Sequence, residues 1–392
     1  MVVDQTMAAR VAVPAYDLLS AADRQRILSD DSLSYLNAIR LPQDYPPGEE
    51  REPDRHLHDS LAALRRMVKA GVFRRVEGPA IFIYRIATDT HRQTAVVADI
   101  PVQAYNEGHV LPHEETRIDK QTGLGNYLDT VRASSSPVCL AYRPVAAIDD
   151  LVAYATAEDP DVDFVASLGT RQQVWQMTDP VWIDQLIGLF REVPHTYITD
   201  GHHRVAATAH NGSHDSFLAA LFPVDQMRLV AYHRCIRDLG RETPASLLER
   251  LQEDFNVTMQ PPDGEPPAPA PGVVSMRLNR LWHQISLKDG LRPSTPEEDL
   301  DVVVVQEHVL RPLLGIEDPR SDPRLACVTS RISPGAIAGW VDSGIYEVAF
   351  LLHPMSLEQL MAVSEAGRTL PPKSSWFTPK AGSGIFLRFG DS

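Results

Sequence analysis

The segment from Thr196 to Arg204, Thr-Tyr-Ile-Thr-Asp-Gly-His-His-Arg, constrains the fold of this chain more than any other. A strand-like apolar lead meets a glycine turn, and a helix-like stretch from Val205 to His210 follows. Gly201 lets the backbone adopt a positive φ or approach a ligand closely. The first amides of the helix then direct unsatisfied N–H groups and a partial positive charge at whatever lies there. Such a turn is suited to hold an anion, and phosphate is its natural ligand.

The side chains of this turn have the chemistry that phosphate binding needs. Arg204 could bind two phosphate oxygens through its planar guanidinium, and His202 and His203 could donate from ring nitrogens. Asp200 could hold Mg²⁺ or orient a substrate hydroxyl. The alternative is a surface turn with a helix cap, since turn residues are common for purely local reasons. Two adjacent histidines and an arginine on one turn favour the binding site.

Composition narrows the class of ligand. The chain has 392 residues, 43% of them hydrophobic, so it can bury a large core. Its formal net charge of -15 disfavours a broad electrostatic contact with nucleic acid or an anionic membrane. No apolar run approaches the roughly 18 residues of a membrane span, and Met1–Ser20 carries Asp4, Arg10 and Asp17 where a signal peptide is apolar. We therefore expect a cytoplasmic protein that acts on small molecules, with its oligomeric state left open.

The hydrophobic pattern predicts a mixed α/β (α+β) fold, in which the helix after Gly201 lies between strands. The predicted helices are residues 54–70, 181–190, 205–210 and 357–366. The predicted strands are residues 80–86, 93–100, 137–142, 174–177, 217–224, 228–232, 273–287, 300–305 and 348–352, the first two forming a hairpin.

A proline-rich stretch predicts the division of the chain into regions. Residues 261–272 contain six prolines, which lack an amide donor and fix φ, so this stretch is incompatible with a helix or a central strand. We predict an N-terminal region of residues 1–258, a linker or loop of residues 259–272, and a C-terminal α/β region of residues 273–392.

A second cluster of polar residues precedes the glycine turn, at residues 108–117. Here His113, Glu114 and Glu115 follow a proline that favours an extended entry. A carboxylate beside a histidine could supply a general base or a Mg²⁺ ligand. The alternative is the acidic first turn of a helix, where carboxylates complement the helix dipole. The sequence His-Glu-Glu-Thr lacks the second histidine of an HExxH zinc motif.

Two further segments carry polar groups of possible function. Residues 370–384 combine lysines, hydroxyls, aromatic rings and turn formers, which suits a nucleotide base and its phosphates but also suits a proline-bounded loop with buried aromatics. Lys373 and Ser374 are the phosphate-binding candidates in this segment. His233 and Arg234 follow a predicted strand and could extend a positive rim.

The sequence Asp200-Gly-His-His-Arg204 resembles the DGHHR motif of archaeal free-serine kinases of the ParB/sulfiredoxin-like fold. The whole chain resembles the related, longer DUF1015 family. The further matching segments are Pro14–Asp17, 108–117, 197–204, 233–234, 301–315, 371–374 and 383–384.

The resemblance implies a ParB/sulfiredoxin-like nucleotide-binding core with additional mixed-sheet elements. It also implies site residues. Pro112-His113-Glu114 matches the PHE sequence of the kinases, which makes Glu114 the general base. Asp200 becomes the partner of a metal ion or of the substrate hydroxyl, and the three residues after Gly201 bind phosphate.

The reaction implied is phosphoryl transfer from ATP or ADP, with Mg²⁺, to the hydroxyl of a free amino acid, L-serine first. The catalytic candidates are Glu114, Asp200 and His113, and the phosphate-binding candidates are Gly201, His202, His203, Arg204, Lys373 and Ser374. The substrate-binding candidates are Glu115, Thr116, Arg117, His233 and Arg234. The alternative function is a nucleotide-binding regulatory or sensor protein without turnover.

Overall fold

The computed structural model describes residues 1–45, 54–212, 214–261, 265–293, 295 and 298–390. The chain forms two compact units. The first consists of Met1–Leu111, Thr116–Met227 and Pro379–Ser392, and the second of Pro112–Glu115 and Arg228–Thr378. Both units combine helices with sheets, which confirms the predicted mixed α/β class. The finer ParB/sulfiredoxin-like assignment stays a prediction.

The first unit is built on a mixed sheet of eight strands in the described part of the chain. In spatial order the strands are Val110–Leu111, Thr196–Asp200, Val138–Tyr142, Ser216–Pro223, Arg92–Pro101, Ile81–Ala87, Arg171–Met177 and Val162–Val165. The first pair and the Val138–Tyr142/Ser216–Pro223 pair are parallel, and the other neighbours are antiparallel. Two short antiparallel pairs complete the strands, Val2–Val3 with Phe73–Arg74 and Ala133–Ser134 with Arg388–Phe389.

The helices of the first unit are Ala8–Val11, Ala21–Asp30, Arg55–Lys69, Val102–Asn106, Ile118–Val131, Ala146–Ala155, Pro180–Arg191 and His202–Asn211. Short 3₁₀ turns lie at Tyr16–Leu18, Tyr35–Ala38, Pro42–Asp44 and Val224–Gln226. A cluster of buried side chains joins the sheet to these helices. Ile198 and Leu140 of the central strands, Leu186 of Pro180–Arg191 and Val205 of His202–Asn211 are all fully buried in it. Val205 thereby fixes the helix that follows Gly201 against the core.

The second unit contains an antiparallel sheet of six strands among the described residues. In spatial order they are Phe255–Met259, Leu281–Leu287, Val274–Leu278, Val348–Leu351, Tyr232–Ile236 and Leu325–Thr329, and Arg228–Val230 pairs separately with Trp376–Thr378. The helices are Pro244–Asp254, Asp301–Val305, Pro334–Asp342 and Leu357–Glu365, with a 3₁₀ turn at Asp289–Leu291 and a π-helical turn at Gln306–Leu310.

Most predicted elements are confirmed within a few residues, but three predictions are wrong. The predicted strand 273–287 is a hairpin of Val274–Leu278 and Leu281–Leu287. Residues 300–305 form the helix Asp301–Val305 instead of a strand. Their run of valines has high strand propensity, yet Val302, Val304 and Val305 are buried by packing, and tertiary contacts override propensity. The predicted strand 228–232 is divided at Ala231, because its two halves pair in different sheets.

The two compact units differ from the predicted division at residues 258 and 273. Tyr232–Ile236 and Phe255–Met259 both pair with strands of the second unit, so that unit begins well before the proline-rich stretch. The chain also returns to the first unit at Pro379. Residues 262–264 of the predicted linker lie outside the described residues. Within the described ranges, none of the helices combines the length and apolar character needed to cross a membrane.

Candidate functional site

The glycine turn of the first unit has the predicted strand–turn–helix geometry. The strand Thr196–Asp200 ends at Gly201, which has φ 104° and ψ 23°, and the helix His202–Asn211 begins at the next residue. A Cβ atom on Gly201 would lie 2.9 Å from Nη2 of Arg204. The positive φ strains any other residue here, and an added Cβ would displace the Arg204 guanidinium, so this position favours glycine. The turn therefore places a helix N-terminus directly after a central strand.

Asp200 lies at the centre of a network of charged side chains within the first unit. Nζ of Lys380 donates to Oδ1 of Asp200 at 2.7 Å and to Oδ2 of Asp17 at 2.5 Å. The Arg204 guanidinium donates to Oδ2 of Asp200, and its Nη1 donates to the carbonyls of Ser136 and Pro137 at 2.6 and 2.7 Å. Two carboxylates and two cations thus form one connected chain of ion pairs.

The network controls the charge of Asp200. Burial alone would raise the pKa of this carboxyl, but the ammonium of Lys380 and the guanidinium of Arg204 outweigh burial and lower the pKa to about 2. Burial likewise would lower the pKa of Lys380, but the carboxylates of Asp200 and Asp17 raise it. Asp200 is therefore ionised at physiological pH, and Lys380 is a cation there.

The two histidines of the turn have different surroundings. His202 is buried, whereas His203 is partly exposed and its Nε2 accepts a hydrogen bond of 3.1 Å from the amide of Arg117. A neutral His203 then carries its proton on Nδ1. The side chain of Arg117 pairs with Asp119 at 2.9 Å. The structure thus brings together His203 and Arg117, which the sequence assigned to phosphate and substrate binding.

The segment Pro112–Glu115 belongs to the second unit, although Leu111 and Thr116 on either side belong to the first. The His113 carbonyl accepts the Leu370 amide at 2.9 Å, and Glu114 forms a parallel bridge with Leu370. The buried ring of His113 has Nε2 2.8 Å from the Ser375 hydroxyl. The segment is therefore extended, which rules out the helix-start alternative. The next helix begins only at Ile118.

Glu114 and Glu115 line a cavity of about 420 Å³ in the second unit. Three arginines and four other carboxylates also line it, namely Arg311, Arg320, Arg368, Glu298, Glu307, Glu317 and Asp318. Arg320 pairs with Glu115 at 3.0 Å and with Asp318 at 2.9 Å, while Arg311 contacts both Glu307 and Glu317. Carboxylates outnumber guanidiniums in this lining, so the cavity favours a ligand that carries an ammonium group.

The other second-unit candidates are arranged around a tight loop. The buried guanidinium of Arg234 donates to the carbonyls of Lys373 at 3.0 Å and Pro372 at 3.3 Å. Lys373 has a left-handed backbone with φ 57°, and its ammonium lies 5.6 Å from the centre of the Tyr232 ring. Ser374 bonds back to the Pro371 carbonyl. Arg234 thus shapes the loop that carries Lys373 and Ser374.

His233 is buried beside Arg234, and its Nδ1 accepts the amide of Leu352 at 3.2 Å. Burial, assisted by the charge of Arg234, lowers its pKa to about 4. His233 is therefore neutral in the folded protein at physiological pH. Substrate binding by His233 and Arg234 stays a prediction.

The family model described as protein of unknown function DUF1015 matches residues 2–305. The chain belongs to this family. The match includes Asp17, Glu114 and the turn from Asp200 to Arg204, whereas Lys380 and most of the cavity lining lie beyond it.

No curated protein matches the chain. Among solved structures, the chain is similar to a free serine kinase in complex with AMP, with 14% identity, a TM-score of 0.38, and coverage of 72% of this chain and 87% of the other. It is also similar to a mutant of free serine kinase in complex with ADP, with 13% identity, a TM-score of 0.40, and coverage of 72% of this chain and 87% of the other. A third similar structure is SbnI with a C-terminal truncation, from Staphylococcus aureus, with 11% identity, a TM-score of 0.39, and coverage of 73% of this chain and 84% of the other. All three are distant likenesses.

Sequence reasoning did not select two members of the charged network. The sequence assigns no site role to Asp17, and it includes Lys380 only as part of a lysine-containing loop. A basic residue flanked by Pro379 and the small residues Ala381 and Gly382 was the available signal. The partners of Lys380, Asp200 and Asp17, lie 180 and 363 residues away along the chain, so no local pattern could have identified these contacts.

The fit of a metal ion can be tested at Asp200. Both of its carboxylate oxygens contact cationic side chains, Oδ1 to Lys380 and Oδ2 to Arg204. Within the described ranges no three histidine, cysteine, aspartate or glutamate side chains are grouped as a metal site requires. In this arrangement Asp200 does not fit a protein-held Mg²⁺, which prefers open carboxylate oxygens.

Proposed function

We propose that this protein transfers a phosphoryl group from ATP or ADP to the hydroxyl of a free amino acid, with L-serine the first candidate. The observation that carries the proposal is the turn at Gly201, where a helix N-terminus with two histidines and an arginine follows a central strand. This geometry suits nucleotide phosphates. The resemblance of Asp200–Arg204 to the DGHHR motif supports the same ligand.

Phosphoryl transfer needs mainly positioning and neutralisation of charge. In the proposed reaction the first amides of His202–Asn211 bind phosphate oxygens, assisted by the rings of His202 and His203. Arg204 holds Asp200 and the turn. Mg²⁺ entering with the nucleotide would neutralise charge on the phosphates. Lys373 and Ser374 are proposed to contribute further phosphate contacts.

Glu114 is proposed as the general base. It removes the proton from the acceptor hydroxyl as that oxygen bonds to the phosphorus atom, and the bond from phosphorus to the nucleotide's bridging oxygen breaks. His113, held by Ser375, positions the adjacent carboxylate. The cavity beside Glu114 is the proposed acceptor site, where carboxylates such as Glu115 would bind the acceptor's ammonium group. Thr116, Arg117, His233 and Arg234 remain proposed substrate contacts.

The substitution Glu114→Gln tests this assignment, because it keeps the shape of the side chain and removes its basicity. We expect nucleotide affinity to change less than threefold, while the rate of O-phosphoserine formation falls by about 10²–10⁴-fold, the usual contribution of a general base. Glu107→Gln, an exposed carboxylate in the first unit, is the matched control. Equal rates in Glu114→Gln and the control would remove Glu114 from the mechanism.

A further outcome separates the two candidate functions. If the wild-type protein binds ATP or ADP but forms no phosphorylated product with serine, threonine or homoserine, the nucleotide-sensing alternative gains support.

A further inference from the structure

Lys380 occupies an unusual position for a lysine. Its ammonium bridges the carboxylates of Asp17 and Asp200 at 2.5 and 2.7 Å, and only 10% of its side chain is exposed. An ammonium removed from water is costly unless it is paired and hydrogen-bonded. Both carboxylates satisfy this requirement, which makes Lys380 a fixed internal cation.

The backbone around Lys380 is held in place within the first unit. The Pro379 carbonyl accepts Nε2 of Gln93 at 3.0 Å, and the Gly382 amide donates to the Tyr84 hydroxyl at 3.4 Å. The Gly384 amide donates to Oγ of Ser135 at 2.6 Å. These contacts lie on both sides of Lys380 and anchor its backbone to the first unit.

A lysine ammonium that bridges two carboxylates lies where a divalent metal ion would lie, and it neutralises the same negative charges. A Mg²⁺ ion bound to Asp200 would have to lie about 2.0–2.1 Å from a carboxylate oxygen. In this network Lys380 contacts Oδ1 of Asp200 and Arg204 contacts Oδ2. A metal ion at either oxygen would therefore be repelled by the cationic side chain already bound there. The geometry therefore disagrees with the metal role that the sequence predicted for Asp200.

We propose that Lys380 is a positioning residue that fills the cation site between Asp17 and Asp200, and that Asp200 anchors Lys380 and Arg204 instead of binding a metal ion. Through Asp200, Lys380 holds Arg204 against the carbonyls of Ser136 and Pro137 and so fixes the start of the helix after Gly201. The last segment of the first unit thereby controls the geometry of the phosphate turn.

Binding of Mn²⁺ to the nucleotide-free full chain tests the metal part of this proposal. Electron paramagnetic resonance measures the free Mn²⁺ during titration of the wild type and of Asp200→Asn. We expect the two proteins to give the same Mn²⁺ binding curve, because Asp200 holds no metal ion. A wild-type Mn²⁺ site that Asp200→Asn loses would overturn the proposal.

The titration of Asp200 tests the positioning part. Carbon-13 NMR of the aspartate carboxyls, with the Asp200 signal assigned through Asp200→Asn, follows its protonation in wild type, Lys380→Met and Lys380→Arg. The charged or titratable groups around Asp200 are Asp17, Tyr16, Cys139, His202, Arg204 and Lys380. We expect the midpoint to rise by at least one pH unit in Lys380→Met and to stay near the wild-type value in Lys380→Arg.

An unchanged Asp200 midpoint in a folded Lys380→Met protein would refute the positioning role. If Lys380→Met does not fold, Asp17→Asn provides the second variant, since it leaves Lys380 with Asp200 alone and should keep the Asp200 midpoint low. A midpoint in Asp17→Asn equal to that of an ordinary aspartate would also count against the proposal. Both experiments use protein without nucleotide, so their results do not depend on the kinase reaction.

Discussion

The charged network makes a quantitative prediction for the stability of Asp200→Asn. The pKa of Asp200 falls from 3.8 to about 2 because Lys380 and Arg204 outweigh the effect of burial. Each pH unit corresponds to about 1.4 kcal/mol, so the ionised carboxylate contributes about 2 kcal/mol to the free energy of unfolding. Asparagine cannot carry this charge. We expect Asp200→Asn to lower the free energy of unfolding by about 2 kcal/mol at pH 7.

The sign of the pH dependence follows from the lowered pKa. The unfolded chain takes up a proton at Asp200 at higher pH than the folded protein does, so this contribution is complete above the unfolded value and disappears as the pH falls through the folded value. About half of it remains at pH 3. The difference between wild type and Asp200→Asn should therefore shrink from pH 7 to pH 3.

Urea unfolding followed by circular dichroism at pH 7, 4 and 3 measures this difference, provided that the dependence on urea is the same for both proteins. Asp184→Asn, an exposed position on the helix Pro180–Arg191, is the control and should change stability by less than about 0.5 kcal/mol. A difference for Asp200→Asn that stays the same at all three pH values would refute the electrostatic reasoning.

Three further substitutions have definite expected effects. Gly201→Ala should lower the free energy of unfolding by about 1–3 kcal/mol, whereas Gly188→Ala, in a helix with open space around it, should raise it by about 0.5–1 kcal/mol; equal effects in thermal unfolding would contradict the backbone argument. The pKa of His233 is lowered to about 4 in the folded protein. As the pH falls from 6.5 to 4, the unfolded chain therefore protonates this ring while the folded protein does not, and the free energy of unfolding decreases. His233→Gln should remove about 3 kcal/mol of this pH dependence, and an unchanged slope of unfolding free energy with pH would show that the ring titrates normally. Asp44→Ala leaves the buried guanidinium of Arg24 without its carboxylate partner, so urea unfolding should show a loss of about 3–5 kcal/mol, and a loss below 1 kcal/mol would mean that the pair is not buried in solution.

Local patterns predicted much of the fold because the signals are local. Leu57 and Leu64, which fall at helical spacing, lie on the buried face of Arg55–Lys69. The strands Ile81–Ala87 and Arg92–Pro101 form the expected hairpin, since strand pattern and turn residues occur in one short stretch. In such segments the sequence period itself selects the structure.

The failures occur where distant residues decide the outcome. The predicted single strand 273–287 is a hairpin, turned at Asn279 and Arg280, which both have positive φ. Asparagine tolerates that conformation, but arginine rarely adopts it, so the turn has no clear local signal. The valine run of Asp301–Val305 is helical because of packing that the sequence pattern does not contain.

In the candidate site, too, the local features could be predicted from the sequence and the contacts between distant residues could not. The strand, Gly201 and the helix after it are adjacent in the chain, so their arrangement could be predicted. The contacts of Asp200 with Lys380 and of Arg234 with the Lys373 carbonyl join residues 180 and 139 positions apart. No periodicity or motif spacing specifies such contacts.

Phosphorus NMR of the purified protein with Mg²⁺ and L-serine, performed separately with ATP and ADP, is the direct test of the proposed kinase activity. We predict a new phosphomonoester signal that requires serine and is lost in Glu114→Gln but kept in Glu107→Gln. Nucleotide binding without any new phosphomonoester signal, with serine or with other free hydroxy amino acids, would contradict the proposed kinase activity.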